Sequence, residues 1–174
     1  ISLVANGINN SIKIGGNSSI GLSGKNVTNV LNEGSIEIKS SGVGIYGDKI
    51  GNLRTSSTSV INSNNEGNVT GIYGLNSNIF NAGLIELGDN SNGIYAENSR
   101  VENTGIVDVG NLGSTGIYGG SGSTILNNNT VKVGSDSVGL ATTDGAIINN
   151  GDVISLGKGS TYLYTKTGKI ENGD

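Results

Sequence analysis

A four-residue phrase, Gly-Ile-Tyr-Gly, recurs along the chain, and its near-constant interval constrains the fold more than any other feature. It stands at Gly44-Ile45-Tyr46-Gly47 and Gly71-Ile72-Tyr73-Gly74, and returns as Gly93-Ile94-Tyr95-Ala96 and Gly116-Ile117-Tyr118-Gly119. Looser copies begin at Gly21, Gly139 and Tyr162, so successive starts lie 23, 27, 22, 23, 23 and 23 residues apart. A fixed period in this range marks a solenoid, in which each repeat is one unit stacked on the next.

Overlaying the repeats gives three short segments per period. In the first, the central residues are Leu22, Ile45, Ile72, Ile94, Ile117, Leu140 and Leu163. In the second they read Val30, Val60, Ile79, Val101, Ile125, Ile147 and Ile170. The third carries Ile36, Ile85, Val107, Val131 and Val153, with Ile38, Leu87, Val109 and Val133 two residues on. Alternation with period two inside a short run means a strand with one buried face. Branched aliphatics suit a pleated surface because they lose little side-chain freedom there. The expected fold is therefore all-β: a right-handed parallel β-helix of about eight coils, three strands per coil. At roughly 4.8 Å per coil it would be a rod on the order of 40 Å long.

Two residues after the second-segment aliphatic stand Asn32, Asn62, Asn81, Asn103, Asn127, Asn149 and Asn172. Alternation places them inward, where a lone amide is costly unless paired. Identical amides stacked about 4.8 Å apart can pair with the copies above and below, so the column is expected to be an asparagine ladder. Two residues further come Gly34, Asn64, Gly83, Gly105, Asn129 and Gly151, which suggests a left-handed corner after the ladder. Val4 and Asn6 fit the second-segment columns, and Ile12 and Ile14 supply a third segment. The coil from Gly44 to Thr70 departs from the pattern, and residues 48–58 are expected to form a protruding loop. The chain starts and stops in mid-pattern and reads as a single β-helix segment, 1–174, of a longer array.

Low apolar content with much Asn, Ser and Gly could suggest disorder, but a disordered chain has no reason to keep its apolar residues in register. The 31 glycines, and the absence of Pro, Cys, Met, His and Trp, fit a narrow-cored solenoid. Net charge is −4 with the ten basic residues scattered, which disfavours nucleic acid and anionic membrane as partners. No apolar run approaches a membrane helix. Without Cys there is no disulfide or thiolate site, and without His the commonest general base and transition-metal ligand are missing. The calcium-binding nonapeptide of other β-helices does not occur, and no cofactor is expected.

Coils of the form Gly-Ile-Tyr … Ile-x-Asn-x-Gly-x-Ile-x-Val-Gly … Ser-x-Gly-Ile-Tyr resemble the passenger repeats of large type V autotransporter adhesins. They are most similar to those of the giant fusobacterial outer-membrane adhesins, and the likeness covers nearly the whole chain outside 48–58. The resemblance implies a passenger exposed on the bacterial surface and exported through a C-terminal outer-membrane barrel that lies outside this sequence. It also implies adhesion to a host-cell surface protein or glycan, or to another bacterial surface. The segment itself is expected to be monomeric and non-catalytic, and not to insert into a membrane.

The residue after the central Ile reads Ser23, Tyr46, Tyr73, Tyr95, Tyr118, Ala141 and Tyr164. Alternation turns it outward, so Tyr46, Tyr73, Tyr95 and Tyr118 are candidate binding residues, a planar platform for sugars or partner side chains. The alternative is a tyrosine ladder that only stabilises the coil. Lys49 and Arg54 in the expected loop are the other candidates. Glu37, Glu86, Asp108 and Lys132 fall on outward positions of the third segment. Paired carboxylates can act as general acid and base, and β-helices do host polysaccharide lyases and hydrolases, but once-per-coil spacing suits a solvated charged stripe better than a cleft. Leu31, Ile61, Phe80, Glu102, Leu126, Ile148 and Glu171 would form a broken apolar row. A pure spacer, with the ligand site elsewhere in the parent, is the alternative function.

Overall fold

Three parallel sheets run the length of the molecule, and the chain visits them in turn. The computed structural model describes residues 2–173. One sheet of seven strands carries the Gly-Ile-Tyr segments, from Ile20–Lys25 to Thr161–Thr165. A second, of eight strands from Leu3–Asn6 to Lys169–Asn172, carries the inward asparagines. A third has seven strands, from Ser11–Lys13 to Val153–Ser155. Every strand pairs in parallel with its own copy one coil later, so Ile72 faces Ile94 and Ile94 faces Ile117 in exact order of the repeat. The result is a three-sided β-solenoid of seven coils plus an eighth strand in the asparagine sheet.

The aliphatic columns fill its interior. Ile45, Ile72, Ile94 and Ile117 from the tyrosine sheet, Val101 and Ile125 from the asparagine sheet, and Ile85, Val107 and Val131 from the third are all fully buried. Each contributes on the order of 1.5–3 kcal/mol by leaving water. The glycine that opens the repeated phrase follows from this packing. A Cβ on Gly93 would stand 2.3 Å from Val107 Cγ1 and 2.5 Å from the Gly116 carbonyl oxygen. Gly116 and Gly139 meet Val131 and Val153 in the same way. The third sheet's inward aliphatic thus occupies the space a side chain would need, and only glycine fits.

The asparagine ladder is continuous on both sides of one coil. Asn6 Nδ2 donates to Asn32 Oδ1 at 2.8 Å, and Asn81 donates to Asn103 at 2.9 Å. Asn103, Asn127 and Asn149 each donate to the next amide at 2.8 Å, the last of these acceptors being Asn172. The second hydrogen of each inner amide goes to the backbone carbonyl two residues on, as from Asn103 to Gly105 at 3.1 Å. Every buried amide is thereby satisfied along the stack.

The coil from Gly44 to Thr70 corrects three expectations. Residues 48–58 are not a protruding loop, because Asn52–Thr55 is a strand in register between Asn29–Asn32 and Asn78–Asn81. Leu53, fully buried, takes the core position expected of Val60, and Thr55 takes the ladder position expected of Asn62. Val60–Asn62 belongs to the third sheet, with Ile61 buried opposite Ile36 and Ile85. Asn62 is therefore not a ladder member: it faces outward between Glu37 and Glu86, and its Oδ1 is buried without a hydrogen-bond partner. The ladder is patched at Thr55, whose hydroxyl donates to Asn81 Oδ1 and accepts from the backbone N–H groups of Ala82 and Gly83. Asn32, deprived of an amide above it, donates to the buried Ser59 hydroxyl. The extra length of this coil is spread over all three corners.

Of the six left-handed corners expected from the sequence, Asn64 alone has a positive φ, 47°, and the other corners lie elsewhere. Three residues before each phrase stand Ser18, Ser41, Asn68, Asn90, Gly113, Asp136 and Gly159, all with positive φ. A second set, Asn26, Lys49, Asn76 and Asn98, follows the tyrosine segment. Gly34, Gly83, Gly105 and Gly151 after the ladder have no positive φ. They are glycines because the coil below comes too close: a Cβ on Gly105 would lie 2.1 Å from the Gly83 carbonyl oxygen.

Two serine ladders complete the interior. Ile50 N–H donates to Ser77 Oγ, Ser77 N–H to Ser99 Oγ and Ser99 N–H to Ser123 Oγ, at 3.0, 2.9 and 3.2 Å. At the opposite corner Val69 N–H donates to Ser91 Oγ and Ser91 N–H to Ser114 Oγ. Each hydroxyl satisfies a backbone donor at a turn, where no sheet partner is available.

Candidate functional site

The strand alternation that buries Ile72, Ile94 and Ile117 turns Tyr46, Tyr73, Tyr95 and Tyr118 outward in one half-buried row. Their rings stack face on face. Centroids are 5.7, 4.9 and 4.9 Å apart and the planes differ by 22°, 8° and 28°. The widest gap, Tyr46 to Tyr73, spans the long coil. The row is therefore not the open platform expected from the sequence, because the ring faces are used by the neighbouring rings and the outward surface consists of edges and hydroxyls. Ser23 bounds it at one end and Ala141 at the other, which separates the half-exposed Tyr164 from the stack.

Two of the hydroxyls are engaged. Tyr95 donates to Glu97 Oε1 at 2.8 Å, and Tyr118 shares a 2.8 Å hydrogen bond with Thr143. Burial raises the phenol pKa of Tyr95 far above its usual value, and the hydrogen bond to Glu97 and that carboxylate's charge raise it further. Burial also raises Tyr73, again with help from Glu97. A phenol with a raised folded pKa gives stability that is intact below the unfolded value near 10 and lost as pH climbs towards the folded one, since the unfolded chain ionises first. The urea midpoint should accordingly fall as the pH rises above about 10, and Tyr95→Phe should flatten the fall. An unchanged slope in the variant would place the alkaline loss in other groups.

Lys49 and Arg54 do not share a loop. Lys49 sits exposed at a left-handed corner, φ 56°, with its N–H bonded to the Leu75 carbonyl. Arg54 lies on the outer face of the asparagine sheet, in the row position expected of Ile61. That row reads Leu31, Arg54, Phe80, Glu102, Leu126, Ile148 and Glu171. The Arg54 guanidinium stands over the Phe80 ring, 5.2 Å from its centroid. Arg100, two coils on, faces outward from the same sheet and approaches Glu102 at 3.5 Å. Asn52, Arg54, Asn78, Ile79, Phe80, Arg100 and Glu102 line one shallow depression of about 280 Å³. Arg54, expected in a loop, and Arg100 thus line the same depression.

The carboxylates of the third sheet stay in single file. Glu37, Asn62, Glu86, Asp108 and Lys132 follow one another in register. Lys39 pairs with Glu66 at 3.1 Å and with Glu37 at 3.8 Å, and Lys132 pairs with Asp108 at 3.9 Å. Burial pushes the Asp108 carboxyl above its ordinary value, against the pull of Lys132. Among the described residues no three acidic side chains come together as a metal site would require.

Comparison of the chain with protein-family models, with curated proteins and with solved structures finds no match in any of the three.

Proposed function

We propose that the chain is a non-catalytic segment of a bacterial surface adhesin, which attaches the cell to host cells or to other bacteria through a surface protein or glycan. One observation carries this reading: the departures from the repeat that bear chemistry face outward. Inside, the columns hold aliphatics, asparagine and serine, with Thr55 patching the one break in the asparagine ladder. Outside, stacked tyrosines fill four consecutive rungs of their row, and Arg54, Phe80 and Arg100 gather on the outer face of the asparagine sheet. A scaffold with a uniform interior and locally distinct faces acts by display. The likeness of its coils to autotransporter passenger repeats supports the same reading, and with it a location outside the cell, anchored through an outer-membrane barrel of the parent protein. In this reading the segment works as a monomer.

The stacking of the tyrosines favours a second reading, a pure spacer, because rings that consume one another's faces stabilise a coil without any ligand. Replacing Tyr73, Tyr95 and Tyr118 by Ser separates the two. The display reading expects a folded variant with weakened attachment of the labelled chain to cultured cells. Attachment equal to wild type, with an unchanged melting temperature, would remove the tyrosine row from the binding surface.

A further inference from the structure

We propose that the depression between Arg54 and Arg100 is a binding site for a carboxylate-bearing sugar residue, such as a hexuronate at the surface of an acidic glycan. Three features of the site lead there. Among the described residues Arg54 has no carboxylate within ion-pair distance, and Phe80 holds its guanidinium over the ring at 5.2 Å. A planar, five-donor cation fixed in this way is suited to bidentate capture of a carboxylate. Arg100 brings the second positive charge. Its contact with Glu102, at 3.5 Å between exposed groups, is of the kind worth little in water and can be exchanged for a ligand carboxylate.

The floor supplies the sugar chemistry. Asn52 and Asn78 use an amide hydrogen each within the fold, Asn52 on Asn29 Oδ1 at 3.2 Å and Asn78 on the Gly51 carbonyl at 3.0 Å. Both side chains line the depression, and among the described residues no hydrogen bond is made to either Oδ1 atom, which leaves these as acceptors for sugar hydroxyls. Phe80, half-buried in the lining, offers the apolar contact that a pyranose C–H face needs. A volume of about 280 Å³ lies below the roughly 300–1,000 Å³ of sites for drug-sized ligands and suits one sugar residue. An aspartate or glutamate side chain of a protein partner would satisfy the arginines but leave the amide acceptors without donors, so the acidic sugar is the better fit. The proposal gives the adhesive reading a ligand class and rests on it only for where that ligand is found.

Titration of the arginine Nε–H signals by NMR tests the site directly. With glucuronate, the Arg54 and Arg100 signals should shift together and saturate with a Kd of about 1 mM. Glucose should leave them unmoved, and high salt should weaken the effect. Arg54→Gln and Arg100→Gln should each weaken binding by about tenfold, roughly one lost charge-assisted contact. Arg54→Lys, which keeps the charge but loses the plane, should resemble the Gln variant. Both positions are exposed, so the variants should melt with the wild type. Equal shifts with glucose, no saturation, or indifference to both arginine variants would overturn the proposal. Shifts as large with N-acetylglutamate as with glucuronate would overturn the sugar assignment in favour of a protein carboxylate. A chain that attaches to cells but ignores glucuronate sinks this inference alone. One that binds glucuronate but no cell leaves the site standing and sinks the adhesive reading.

Discussion

Asn103→Leu is expected to destabilise the solenoid by about 3 kcal/mol, although leucine has the same side-chain branching and the site is fully buried. The loss arises from what the amide leaves behind. Asn81 Nδ2 loses its 2.9 Å acceptor, Asn127 Oδ1 loses its 2.8 Å donor, and the Gly105 carbonyl loses its side-chain bond at 3.1 Å. Each orphaned buried group costs on the order of 1–3 kcal/mol, partly offset by the added apolar contact. Asn103→Thr should cost about 1 kcal/mol less, because a hydroxyl at this level can still donate upward, as Thr55 does to Asn81. Urea unfolding followed by circular dichroism measures both. A leucine variant as stable as wild type would show that the amide stack contributes nothing net.

Gly93→Ala should cost a similar amount, about 3 kcal/mol, for the opposite reason. The new methyl would stand 2.3 Å from Val107 Cγ1 and 2.5 Å from the Gly116 carbonyl oxygen, and neither can retreat. Val107 is fully buried and the carbonyl belongs to the neighbouring strand. Adding Val107→Ala should recover part of the loss by opening the side-chain contact while leaving the backbone contact in place. Gly15→Ala is the control: nothing lies within 4 Å of a Cβ there, and the change should stay within about 0.5 kcal/mol. If Gly93 and Gly15 behave alike, the phrase is not glycine for want of space.

The regular coils were legible because a parallel stack forces like residues into like places, so every column of aliphatics or asparagines is a statement about register. The coil from Gly44 to Thr70 was not, because Val60-Ile61-Asn62 imitates the aliphatic-x-Asn signature. The spacing from tyrosine distinguishes the two: Ile79 follows Tyr73 by six residues and Leu53 follows Tyr46 by seven, whereas Val60 follows by fourteen. That single misregistration also hid the arginine site, since it put Arg54 in a loop rather than beside Phe80. The serine ladders carried a signal, Ser77 and Ser99 at an interval of 22 and Ser91 and Ser114 at 23, but serine is common in this chain and reads locally as a turn residue. The direction of the tyrosine rings was beyond the sequence. Alternation says that they point outward, and only the geometry says that they turn their faces to one another.

The account stands or falls on whether these coils bind a surface. The measurement that decides it is titration of cultured epithelial and immune cells with the purified, fluorescently labelled chain, with circular dichroism to confirm that it is folded. Saturable binding that free glucuronate reduces and glucose does not is the predicted result. A folded chain that binds no cell at any concentration would contradict the account and make this stretch a spacer.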